Sequence, residues 1–127
     1  MRLLKYFITS ILLFGLVQAQ AHQFTPTYPK LEPSYIDGVM HTEMRLFNTR
    51  MEISYYEISV FDRNWNPVPF AVMQRIVEVK YLETKMVDIF IQNRDTKRVS
   101  YICTTSKLVK TDIGGSMISS RICSKVK

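Results

Sequence analysis

The stretch Ile53-Ser54-Tyr55-Tyr56-Glu57-Ile58-Ser59-Val60-Phe61 decides the fold class. Tyr56, Ile58 and Val60 alternate with Glu57 and Ser59 in a run rich in β-branched and aromatic side chains. Such residues suit a pleated, half-buried surface better than a helix. Successive strand side chains point to opposite faces, so one apolar row turns inward and Tyr55 and Phe61 fall in the opposite phase. There they either meet neighbouring structure or form an interaction surface.

Working outward toward the N-terminus, Met40, Thr42, Met44 and Leu46 alternate with His41, Glu43, Arg45 and Phe47, a second strand between turns at Asp37-Gly38 and Asn48-Thr49-Arg50. Pro26, Pro29 and Pro33 break up residues 22–36, which are expected to be extended, with at most an edge strand. Toward the C-terminus a polar loop runs from Asp62 to Pro67, and Pro69 blocks easy continuation. Strands are expected over 75–81 and 85–92, a turn at Asn93-Arg94-Asp95, and strands over Val99–Thr104 and Met117–Cys123, with Gly114-Gly115 between them. About seven short strands, with no helical periodicity, predict an all-β, two-sheet sandwich.

The chain opens differently. Arg2 and Lys5 precede an uncharged apolar run, Phe7–Val17, and Ala19-Gln20-Ala21 fits a small-x-small processing site. Eleven residues fall short of the roughly 20 a membrane-spanning helix needs. Residues 1–21 therefore read as a secretory signal and 22–127 as the working domain, periplasmic or secreted, with no stable membrane insertion expected. Export permits a disulfide between the two cysteines, Cys103 and Cys123; the alternative is two buried free thiols.

The net charge of +6 falls to +4 without Arg2 and Lys5, and the remaining excess concentrates in the C-terminal third. Lys107, Lys110, Arg121 and Lys125 are the candidate partner-binding residues. They suit an acidic protein, an anionic glycan or a phosphate-bearing surface, or they serve solubility alone. Nucleic-acid binding is not expected, since no motif for it is present and the chain is addressed for export. Segment 107–118, apolar and basic with two glycines, is a candidate contact loop or a plain connector. Trp65 is expected to pack as a lid on one end of the sandwich, the alternative being an exposed glycan- or protein-binding ring.

Catalytic patterns are missing: there is no Gly-x-Ser-x-Gly, no HExxH and no phosphate-cradling glycine loop. The expectation is a non-enzyme without cofactor. One alternative carries chemistry. Processing after Ala21 would make His22 the terminal residue, and its amine and imidazole, joined by His41, form a nitrogen set suited to copper.

Taken in order, Phe24-Thr25-Pro26-Thr27, Met44-Arg45-Leu46-Phe47-Asn48, Tyr55 to Asp62, Asp88-Ile89-Phe90-Ile91, Val99 to Cys103 and Ser120-Arg121-Ile122-Cys123 form a pattern. It resembles the N-terminal immunoglobulin-like domain of periplasmic pilus (PapD-like) chaperones. The resemblance implies an immunoglobulin-like β-sandwich. In one branch of that family a disulfide links the last two strands, as Cys103 and Cys123 would. Those chaperones have two domains, whereas residues 22–127 hold one. Their donor strand alternates large apolar residues, which Leu108, Val109, Ile113, Met117 and Ile118 do not. What carries over is a chaperone-like assembly or protein-binding module whose partner is another exported or envelope protein. The remaining alternative is a structural surface or virion subunit.

Overall fold

The computed structural model describes residues 22–107 and 119–127. Among the described residues eight strands are formed: β1 (Gln23–Thr25), β2 (Glu32–Pro33), β3 (Val39–Phe47), β4 (Tyr55–Phe61), β5 (Ile76–Glu78), β6 (Thr84–Gln92), β7 (Tyr101–Lys107) and β8 (Arg121–Lys125). In the first sheet β3 is central, with β6 along one side and both β1 and β2 along the other. The second sheet has the order β5-β4-β7-β8, and all these pairings are antiparallel. This is the expected all-β sandwich.

The alternation read from the sequence sets which face is buried. Met44 and Leu46 of β3, Ile89 and Ile91 of β6, Tyr56, Ile58 and Val60 of β4 and Ile102 of β7 are almost wholly removed from water. Each such aliphatic side chain stabilises the fold by about 1.5–3 kcal/mol relative to exposure. The residues between them face outward: His41, Glu43 and Arg45 on β3, and Tyr55, Glu57, Ser59 and Phe61 on β4.

The proline-rich start yields two short edge strands on one long neighbour. Gln23 to Thr25 pair with Phe47 to Arg45, and Glu32 and Pro33 pair with His41 and Met40. Between them the chain crosses to the other sheet, where Thr27 O and Pro29 O accept from the amides of Lys125 and Lys127 at 2.9 and 3.0 Å.

Three expectations need correction. The strand expected over 75–81 shortens to Ile76–Glu78, because the chain turns at 80–83 with Leu82 at φ +60°. The turn expected at 93–95 is a 3-10 helix, Asn93–Arg98. Asn48, read as a turn residue, is fully buried. Its Nδ2 donates to Ile53 O and Val79 O at 2.7 and 2.8 Å, and its Oδ1 accepts from Arg50 N and from the Tyr56 hydroxyl.

Candidate functional site

β7 and β8 bring together most of the residues singled out in the sequence. Cys103 stands directly opposite Cys123, with Cα atoms 4.1 Å apart and a disulfide between them. Both lie on the outer face of the second sheet, with Tyr101 and Thr105 beside Cys103 and with Arg121 and Lys125 beside Cys123. Val99 turns inward because it precedes the strand. The pair is the close, non-hydrogen-bonded kind, where side chains approach near enough to bond. A crosslink at a sequence separation of 20 typically stabilises by about 3 kcal/mol.

Three of the four candidate basic residues share this outer face. Lys107 lies on β7, and Arg121 and Lys125 lie on β8 opposite Thr105 and Tyr101. Lys107 is engaged, with its Nζ 3.6 Å from Glu57 Oε2. Arg121 Nε donates to Thr105 Oγ1 at 3.3 Å, and its guanidinium lies over the Phe61 ring at 5.4 Å. Lys110, with the rest of segment 108–118, and the expected signal at 1–21 lie outside the described residues.

β8 is an edge strand. Ser120 O accepts from Ser106 N and Val126 N donates to Ser100 O, so the even-numbered positions face β7 and the odd-numbered ones face away. Lys125 and Lys127 use their outward amides on residues 27 and 29. Among the described residues the outward amides of Arg121 and Cys123 have no backbone partner. β1 lies beside this stretch without pairing with it, and a disulfide-fixed edge whose outward amides lack backbone partners can accept a further strand.

The structure does not bring the two histidines together. His22 is buried, with Nε2 2.8 Å from Thr104 Oγ1, Nδ1 3.3 Å from Ser120 Oγ, and its ring 4.5 Å from that of Tyr56. Burial pushes its pKa down to about 4, partly offset by hydrogen bonding to Thr104 and reinforced by the positive charge of Arg50. Burial likewise pushes Tyr56 up to about 12. His41 lies on the outer face of the first sheet, stacked on Phe90 with ring centroids 5.8 Å apart, its Nδ1 2.8 Å from Asp88 Oδ1. The β1 register puts His22 beyond Phe47, roughly 20 Å along β3 from His41, and the rings face opposite sides of the sheet. Among the described residues no group of three or more His, Cys, Asp or Glu side chains is placed to hold a metal.

Trp65 is not a lid on the core. It is 49% exposed and lies flat on Tyr101, on the outer face of the second sheet. Nothing along the chain signals this stack, since residues 65 and 101 meet only through the β4–β7 register that sets Phe61 beside Tyr101. Also unforeseen is a cavity of about 380 Å³ beside β6, lined by Tyr35, Ile36, Phe70, Val72, Met73 and Phe90 among others.

The arrangement has known counterparts. A chain of the Salmonella enterica SafA pilin–SafB chaperone complex matches with a TM-score of 0.62 at 12% identity, over 87% of this chain and 54% of that one. The Escherichia coli chaperone DraB matches with a TM-score of 0.62 at 13% identity, over 84% of this chain and 53% of its own. In fold, the chain is similar to pilus chaperones. It spans about half the length of the chains it matches. No family model and no curated protein matches the sequence. The resemblance drawn from the strand pattern is thus found again in three dimensions, as a likeness of fold. Among the described residues no helix is long and apolar enough to cross a membrane.

Proposed function

We propose that this chain is an exported, non-catalytic, chaperone-like binding module, working in the periplasm or outside the cell. Its partner is another exported or envelope protein, which adds an extended segment to the free edge of β8. The observation that carries this reading is the pair of outward amides at Arg121 and Cys123, on a strand held by the Cys103–Cys123 bond. Main-chain pairing supplies affinity in such strand addition, and side chains along the edge supply selectivity. Arg121 and Lys125 add a positive field that draws acidic partners. The kinship in fold with chaperones that act on pilins fits this reading.

Proline at an outward-facing edge position leaves the sheet intact but removes the donor. Arg121→Pro is therefore expected to abolish recovery of the partner after crosslinking in the native envelope. Arg121→Ala, which loses the same charge but keeps the amide, is expected to lower recovery only slightly. Equal recovery with both variants would rule out edge pairing.

A further inference from the structure

The outer face of the second sheet carries another constellation, at the Phe61 end of β4. The loop after that strand is fixed by its own first residue. Asp62 N donates to Asn66 O at 2.9 Å, and Trp65 N donates to Asp62 O at 3.0 Å. The Asp62 carboxylate accepts from the amides of Asn64 and Asn66 at 2.8 and 2.9 Å and from Asn66 Nδ2 at 3.3 Å. Trp65 occupies this loop at φ +65°, a left-handed conformation that is costly for a bulky residue. Its indole stacks on the Tyr101 ring with centroids 4.2 Å apart and planes 1° from parallel, and Phe61 tilts against it at 5.7 Å. With 49% of the residue exposed, one indole face is covered and the other meets solvent. A tryptophan serving only the core would be buried; this one is held at a backbone cost with a flat face free.

Cations edge that platform. Lys125 stands directly across from Tyr101 on β8, and the Arg121 guanidinium lies over Phe61. Among the described residues neither side chain is paired with a carboxylate. The acidic groups nearby are otherwise placed. Glu57 is held by Lys107, Glu78 lies at the Tyr55 end of the sheet, and Asp62 is occupied by its own loop.

We propose that the Trp65–Tyr101 platform, with Arg121 and Lys125, binds an acidic polysaccharide. A pyranose ring stacks its C–H face on the free side of Trp65, and a ring-borne carboxylate is held by the two cations. A large, rigid aromatic surface fixed before binding gives contact at little entropic cost. Lys125 is about one strand spacing, ~4.8 Å, from the strand bearing Tyr101, so the anion belongs on the stacked ring or its neighbour, as in a uronate. An acidic peptide has charge without a flat ring. A nucleobase has a flat ring, with its charge on the phosphate. This site does not depend on strand addition at β8.

Trp65 is the sole tryptophan, so its fluorescence reports directly on the site. Hexagalacturonate added to the purified full chain is expected to shift that fluorescence saturably, and maltohexaose to bind much more weakly. In calorimetry Trp65→Ala is expected to weaken hexagalacturonate binding about tenfold or more, in line with the cost of losing one stacked ring. Lys125→Glu, remote in sequence from the loop, is expected to abolish hexagalacturonate binding with an unchanged circular dichroism spectrum, so the test survives if the Trp65 variant folds poorly. Absence of saturable hexagalacturonate binding, or unaltered binding by folded Trp65→Ala, would overturn the proposal. So would equally tight binding of hexaglutamate, which would make the site a general cation patch. Tighter binding of oligothymidylate would reassign it to nucleic acid.

Discussion

The inner faces of the two sheets meet in one core, yet they are held by different physics. The first sheet contributes Phe24, Met44, Leu46, Val87, Ile89 and Ile91, with Thr42 as the buried polar residue of its inward row. The second contributes Tyr56, Ile58, Val60 and Ile102, but also the hydrogen-bonded Thr104 and Ser106. His22 reaches across from the start of the chain to Thr104 and Ser120, and Tyr56 donates its hydroxyl to Asn48. One face is packed; the other is packed and stitched. Apolar burial is non-directional, whereas buried hydrogen bonds fix direction and are costly when half made. The stitched side is the one that holds β7 and β8, so the strand with the free edge is kept in place by directional bonds as well as by a disulfide.

This contrast can be broken from either side. The largest effect is expected for Ile89→Ala on the packed face, a loss of about 3–4 kcal/mol from methylene transfer and the cavity left behind. Urea unfolding checks it, and the midpoint should fall with little change of slope.

Acid acts on the stitched face through His22. Buried His22 has a folded pKa of about 4 against a usual 6.5, so the unfolded chain takes up the proton first. Its stabilising contribution is complete above pH 6.5 and is lost as the pH falls toward 4, by about 3 kcal/mol in all. Below that range the term is constant. Thermal melts across this range should show the loss, and His22→Gln should flatten it.

The smallest expected effect is the sharpest comparison, because the same substitution is made on both faces. Thr104→Val leaves the His22 Nε2 without its partner and should cost about 1–2 kcal/mol. Thr42→Val leaves no hydrogen-bond partner unpaired among the described residues and should change stability by under about 0.5 kcal/mol. Equal effects would mean that the two faces do not differ as described.

The residues that were legible in advance were those whose placement depends on the nearest neighbours along the chain. Alternation in Met44 to Leu46, Tyr56 to Val60 and Val87 to Ile91 dictated strands and their buried rows. The prolines of residues 22–36 dictated edge positions, since a residue without an amide proton cannot join the middle of a ladder. Cys103 and Cys123 were readable as a possible pair, although their alignment on one face was not. Strand ends were less legible: at 80–83 a positive φ at Leu82 ends what apolar spacing would have continued.

The sequence by itself determined that the chain is all-β, which residues of each long strand turn inward, and that its two cysteines were available to each other. Only the tertiary structure decided that Lys107, Arg121 and Lys125 share one outer face, that His22 lies inside and far from His41, and that Trp65 rests on Tyr101 with one side free. The reason is one of range. Side-chain direction within a strand follows from local backbone geometry. Which strands become neighbours, and in what register, is set by competition among all the surfaces that can be buried at once.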